Sequence, residues 1–294
     1  MDIVNSRDRM MSIARDLRRA NRIIGFVPTM GALHEGHVSL VRTARAKCDA
    51  LVVSIFVNPA QFGPKEDFAK YPRDLDRDAS LLETQGVDYI FAPDAGEIYP
   101  AGFSTYVTVE GLSEQLEGAS RSGHFRGVAT VVAILLNIVQ PDLAFFGQKD
   151  AQQAAVLKRM VRDLAFDTNV VVLPIVREES GLALSSRNAY LSEEEKRAAT
   201  ALHRGLTDAI QAYEGGERNG DSLIDIVRSA IQTESLARID YISLNDAKTF
   251  EPLEQVAERP ALLSLAVYIG KTRLIDNIVL DESQKQDAAE AHAS

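Results

Sequence analysis

Compact apolar runs recur along the first 175 residues: RIIGFV (22–27), ALVVSIFV (50–57), DYIFA (88–92), DLAFF (142–146) and NVVVLP (169–174). They are rich in Val, Ile and Phe and bounded by Gly, Pro, Asn or Asp, which predicts strands. Several are apolar at every position instead of alternating, as strands covered on both faces of a parallel sheet are. Between them, apolar positions at helical spacing predict helices over Val38–Lys47, Leu75–Gln85, Arg126–Val139 and Ala151–Leu164. Strand and helix alternate, so the pattern predicts an α/β fold built on a doubly wound parallel sheet. STYVTVE (104–110) alternates in period two and predicts a peripheral strand.

The rhythm changes after LSSRNAYLS (184–192). Ser192 with Glu195 makes a capping box, and Ala199, Leu202, Leu206, Ala209 and Tyr213 continue a helical stripe that Gly215-Gly216 should stop. A second helix over about 221–233 precedes three strand-like runs, IDYISL (239–244), ALLSLAVYI (261–269) and RLIDNIVL (273–280). Two helices followed by three strands predict a smaller α+β domain. The expected organisation is therefore 1–175, a first α/β domain; 176–281, a smaller α+β C-terminal domain; and 282–294, a polar tail expected to be disordered.

Composition narrows the function classes. With 46% hydrophobic and 25% charged residues, the 294-residue chain can bury a sizeable core. A net charge of −10 speaks against general attraction to nucleic acid. It leaves room for a small anion, because local basic groups dominate within one screening length. The single cysteine, Cys48, cannot form an intramolecular disulfide, which suits a reducing cytoplasm. The first residues lack the apolar core of a signal peptide. VATVVAILLNIV (128–139) is too short to span a bilayer and reads as a buried helix, so no membrane association is expected.

Four clusters carry the candidate chemistry. In PTMGALHEGH (28–37), two of the chain's five histidines stand three positions apart where a strand should end and a helix begin. That places His34 and His37 beside free backbone N–H groups and the positive end of a helix dipole, while Gly31 and Gly36 permit close approach of a ligand. Helix capping or a share in a metal site also fit such a pair, but the chemistry favours an anion site. FVNPAQFGPKEDFAKYPRDLDRD (56–78) puts Asn58 and Gln61 at the carboxyl end of a strand, where open α/β sheets bind ligands. Gln61 can donate and accept, which suits a substrate with hydroxyl and carboxylate; a turn-stabilising role fits equally well. FFGQKDAQQAAVL (145–157) sets Lys149 and Asp150 at a helix start, with Gln153 one turn on. LSSRN (184–188) offers Ser185, Ser186 and Arg187 to a phosphate, or serves as a polar linker. Two further patterns carry nothing: GKT (270–272) lacks the glycine a Walker loop needs, since Leu265 stands there, and no G-x-G-x-x-G follows the first strand.

From about residue 20 to 281, the chain resembles the pantothenate synthetase family of the nucleotidylyltransferase-like group with the HIGH-type signature. PTMGALHEGH, SIFVNPAQF, YPRDLDRD, GHFRGVATVV, FFGQKDAQQ and REESGLALSSRN occur in that family's order and spacing. The resemblance implies a Rossmann-like domain with a smaller C-terminal domain, associating as a homodimer. It implies a ligase that joins pantoate to β-alanine with ATP, through a pantoyl adenylate, releasing AMP and pyrophosphate. Carried onto this chain, Met30, Gly31, Ala32, Leu33, His34, Glu35, Gly36 and His37 would line the ATP site. Gly147, Gln148, Lys149, Asp150, Val176, Leu184, Ser185, Ser186 and Arg187 would complete it. His37 is then the favoured catalytic residue, with His34 and Lys149. Gln61 and Gln153 would hold pantoate, Gln61 also lying near β-alanine. Mg2+ is expected with ATP, and Asp78 would touch its water shell. The chain departs from the family at Ala151, where Tyr is frequent, at Gln148, where Glu is common, and at Leu184, where Met is common. Leu for Met nearly conserves volume, whereas Ala151 removes a contact from the pocket. The rival functions are nucleotidyl transfer to a phosphate acceptor and nucleotide binding without catalysis.

Overall fold

The computed structural model describes residues 1–64 and 66–281; the tail expected to be disordered lies outside them. The chain divides into two compact units, Met1–Val176 and the residues from Arg177 onward. The first carries six strands: β1 (Asp2–Val4), β2 (Ile24–Thr29), β3 (Ala50–Ile55), β4 (Tyr89–Phe91), β5 (Leu143–Gly147) and β6 (Asn169–Leu173). They form one sheet in the order β1-β4-β3-β2-β5-β6, with every pair parallel. Phe26, Val27, Val52, Val53, Ile90, Phe91 and Phe145 are fully buried, which is why these strands read as continuous apolar runs.

The helices of this unit are α1 (Arg7–Arg19), α2 (Glu35–Arg45), α3 (Leu75–Glu83), α4 (Ala95–Ile98), α5 (Glu117–Ser120), α6 (His124–Val139) and α7 (Ala151–Asp163). The four helices expected from the pattern are α2, α3, α6 and α7; β1, α1, α4 and α5 are additions. The expected strand at 104–110 is not formed. The Val107 N–H donates to the Thr130 hydroxyl of α6 (3.0 Å) instead of a neighbouring strand, and Val109 turns inward. Alternation there records one buried side of a segment lying along a helix. From β2 the chain winds through β3 to β4, then returns to β2's other side for β5 and β6. The strand order therefore reverses between β2 and β5, the crevice where open sheets bind ligands.

The second unit has two helices, α8 (Glu193–Glu214) and α9 (Gly220–Gln232), and an antiparallel sheet of β7 (Ala237–Asp246), β8 (Ala261–Ile269) and β9 (Thr272–Leu280). The Ser192–Glu195 capping box is present. Leu202, Leu206, Leu223, Val227, Leu263 and Val267 pack together in its core. Gly270-Lys271-Thr272 is the turn joining β8 to β9, Ile269 pairing with Thr272, with Gly270 at a φ of 56°.

Candidate active site

The segment after β2 is bent by two residues in the left-handed region, Gly31 (φ 81°) and Ala32 (φ 52°). The bend is held from beneath by Asp78 of α3, whose two carboxylate oxygens accept the N–H groups of Leu33 (2.9 Å) and Ala32 (2.8 Å). Asp78 is 1% exposed, and burial raises its pKa although both backbone bonds oppose the shift. A carboxylate enclosed in this way orients the loop and does not face a metal's water shell. Among the described residues, no group of three His, Cys, Asp or Glu side chains could hold a metal ion.

The bend delivers both histidines to the start of α2. His34 is its N-cap, and its Nδ1 accepts the N–H of Gly36 (3.2 Å). His37 Nδ1 accepts the N–H of His34 (3.4 Å). With each Nδ1 used as an acceptor, the hydrogen of a neutral ring belongs on Nε2. The rings lie 4.1 Å apart. Burial, then the charge of Lys149, brings His34 down to about 4. Burial, then the neighbouring His34, brings His37 down to about 3. At neutral pH the pair therefore presents two uncharged N–H donors at a helix N-terminus, a receptor for anionic oxygens.

From the other side of the crevice, Gly147 ends β5 and a single tight turn, Gln148–Asp150, leads into α7. Lys149 Nζ lies 3.8 Å from Asp150 Oδ1, and the charges of both act on the two imidazoles. The β2 and β5 segments thus bring His34, His37, Lys149 and Asp150 together, as the sheet order requires. Gln61 joins them from the turn after β3. Its Nε2 donates to Met30 Sδ (2.9 Å) and its Oε1 accepts from Asn58 (3.0 Å). Gln153 is half-buried in the first turn of α7. Its neighbour Gln152 is spent on structure, bonding Leu112, Gln115 and Glu117. Glu35 is exposed and paired with Arg42.

Val176 ends the first unit, and Leu184–Arg187 belong to the second. There Ser185 Oγ caps a short turn over Ser186–Tyr190 by accepting the Arg187 N–H (3.3 Å). Asn188 anchors that turn, donating to Glu178 Oε1 (3.0 Å) and the Ala183 carbonyl (3.1 Å). Arg177 binds the buried Asp276 with both guanidinium ends (2.6 and 3.0 Å) and the Gly181 carbonyl (3.1 Å).

Sequence reasoning missed the groups beneath Gln61. Tyr99 donates to Asn58 Oδ1 (2.7 Å), and His124, 9% exposed, lies 2.9 Å from the Gln61 carbonyl. The only sequence signal was the polar GHFR stretch opening an otherwise apolar helix.

Comparison with known proteins matches residues 2–279 to a family described as pantoate-beta-alanine ligase. The pantothenate synthetase of Pelotomaculum thermopropionicum is 55% identical over 282 residues, spanning 96% of this chain and 100% of the relative. That of Moorella thermoacetica is 58% identical over 268 residues, spanning 90% of this chain and 93% of the relative. The crystal structure of pantothenate synthetase from Thermus thermophilus superposes with a TM-score of 0.88 at 45% identity, over 95% of this chain and 99% of that one. A pantoate-beta-alanine ligase from Francisella tularensis, solved as a complex with beta-gamma ATP and beta-alanine, gives 0.79 at 36% identity, over 95% and 97% of the two chains.

Proposed function

Because this chain belongs to the pantoate-β-alanine ligase family, we propose how its own residues perform that ligation. The enzyme joins pantoate to β-alanine at the expense of ATP and releases AMP and pyrophosphate through a pantoyl adenylate. A pantoate carboxylate oxygen attacks the α-phosphorus, and the bond to pyrophosphate breaks. The β-alanine amine then attacks the acyl carbon, the acyl–phosphate bond breaks with AMP leaving, and the amine proton passes to solvent.

His34 and His37 donate through Nε2 to phosphate oxygens on which charge builds as pyrophosphate departs, and Lys149 adds a full positive charge. Gln61 and Gln153 hold pantoate, Gln61 standing also beside the amine's approach. Gly147–Asp150 lie along the nucleotide, and the backbone of the Met30–His37 bend contacts it. Ser185, Ser186 and Arg187 are assigned a nucleotide role on their chemistry, two hydroxyls and a guanidinium being phosphate partners, and Val176 and Leu184 on the family's pattern alone. Magnesium is proposed to arrive on ATP as part of the substrate, where it would offset the charge of the phosphates. The observation carrying this assignment is the bond from Gln61 Nε2 to Met30 Sδ (2.9 Å), which sets the acceptor-side amide at the foot of the histidine bend.

We further propose a homodimer, which sedimentation giving a monomer mass would exclude. We place the enzyme in the cytoplasm, as its lone Cys48 suits; no helix among the described residues is long and apolar enough to cross a membrane. The order of steps is tested by isotope exchange. Labelled pyrophosphate should enter ATP when pantoate is supplied and β-alanine is withheld. Exchange that waits for β-alanine would overturn the two-step order. A nucleotidyl transferase for phosphate acceptors would show no pantoate-dependent exchange.

A further inference from the structure

Helix α6 opens with Gly123-His124-Phe125-Arg126-Gly127 and packs on the turn that carries Gln61. Gly127 makes the approach possible, because a Cβ there would collide with the backbone of Ala60 and Gln61. His124 Nδ1 lies 2.9 Å from the Gln61 carbonyl oxygen, and its Nε2 lies 3.0 Å from Arg121 Nη1. A guanidinium can only donate, so Nε2 accepts, and the hydrogen of the neutral ring sits on Nδ1, donated to Gln61. Burial, then the charge of Arg121, lowers His124 to about 4 and keeps the ring neutral. Arg121 is itself fixed by a two-pronged bond to Glu66, Nε to Oε1 at 2.7 Å and Nη2 to Oε2 at 2.8 Å. Burial opposes ionisation of Glu66, but the bonds and charge of Arg121 prevail and bring it down to about 2.

The side chain of Gln61 is oriented in the same way. Asn58 Oδ1 accepts from Tyr99 (2.7 Å) and from the Ala60 N–H (3.2 Å). Asn58 Nδ2 must therefore donate, to the Gly127 carbonyl (3.1 Å) and to Gln61 Oε1 (3.0 Å). That leaves Gln61 Nε2 as the group turned outward, toward Met30.

We propose that His124 is a positioning residue for the ligation, its Nδ1–H pinning the main chain of Gln61 so that the Gln61 amide presents Nε2–H to an acceptor oxygen of pantoate. The inference rests on the reading that Gln61 holds pantoate. Arg121 and Glu66 set the tautomer.

The test separates the two ideas. Gln61→Ala should raise the KM for pantoate; an unchanged KM would remove Gln61 from the pantoate site. His124→Ala should raise the KM for pantoate by about ten- to a hundredfold, the effect of losing a buried hydrogen bond, and leave the KM for ATP within about twofold. His124→Asn keeps an N–H at the Nδ1 position and should restore most of the affinity. In the Gln61→Ala background, His124→Ala should add nothing, since it acts through Gln61. Additive losses, equal losses for ATP and pantoate, or no rescue by Asn would overturn the role. Nitrogen-15 spectra of the histidine-labelled full chain test it without any substitution at the site. They should show His124 protonated on Nδ1, and in Arg121→Met a redistribution toward Nε2. An Nε2-protonated ring in the unsubstituted protein would refute the proposal even if the variants failed to fold.

Discussion

His37 and His34 differ from ordinary surface histidines in that their Nδ1 atoms are already committed to backbone N–H groups. Their chemistry is therefore that of oriented N–H donors, which is what the proposed role at a breaking phosphate bond requires. His37→Ala should lower turnover by on the order of 10²–10³-fold, as loss of one such donor does elsewhere. The folded state should survive in circular dichroism, and wild-type turnover in a folded variant would remove His37 from the reaction. The pair was legible because its placement depends on local structure alone: three residues of spacing and a strand-to-helix junction. Asp78 was not legible in the same way. The family resemblance pointed it at the water shell of magnesium, and only the fold aims it at backbone 45 and 46 positions earlier. The same holds for His124, which meets Gln61 from 63 positions away. Residue type announces what a side chain can do; the partner is fixed by tertiary contact.

Elements are bound to one another by single groups whose substitution should be felt across the join. Asp78 ties α3 to the bend after β2. Asp78→Asn would turn an amide NH2 toward one of two backbone donors, leaving a buried N–H unpaired at a cost of about 1–3 kcal/mol. Its thermal midpoint should fall and its KM for ATP should rise, since the bend carries the histidines; an unchanged KM would show that the bend stands without Asp78. Gly127 joins α6 to the Gln61 turn. Gly127→Ala should destabilise by about 1–3 kcal/mol through overpacking, despite alanine's better helix propensity, and urea titration checks the sign. The strands and helices with broad apolar stripes were legible from periodicity, β8 residue for residue at Ala261–Ile269. Helix α1 was not, because only Met10, Ile13 and Ala14 are buried among its arginines, too narrow a stripe to stand out. Strand β1 has three residues, of which Val4 alone is buried. The 104–110 segment misled for the opposite reason: period two marks one buried side, whether a strand or a helix provides the cover.

At the scale of the molecule, the histidines form a common acid-sensitive element. The chain has five, and each of the four among the described residues has its pKa lowered first by burial: His37 to about 3, His34 and His124 to about 4, and His203 in the same direction. An unfolded chain protonates its imidazoles as pH falls through about 6.5, while the folded chain resists until each lowered pKa is reached. Between those limits unfolding takes up protons, so stability rises with pH and is lost on acidification. Each neutral imidazole contributes up to about 1.4 kcal/mol per pH unit within its window, less where the ring is partly exposed. Glu66 works in a separate range: its pKa is lowered to about 2, so its contribution is lost only below its unfolded value, near pH 4. Urea titrations from pH 7 to 5 should therefore show a fall of at least about 2 kcal/mol before the contribution of Glu66 begins to be lost. His124→Phe, which cannot take up a proton when the chain unfolds, should flatten the slope by close to one imidazole even if it is less stable at pH 7. A level profile across that range would mean that the folded chain protonates its histidines as readily as the unfolded one, and the neutral N–H donors assigned to His34 and His37 would go with it.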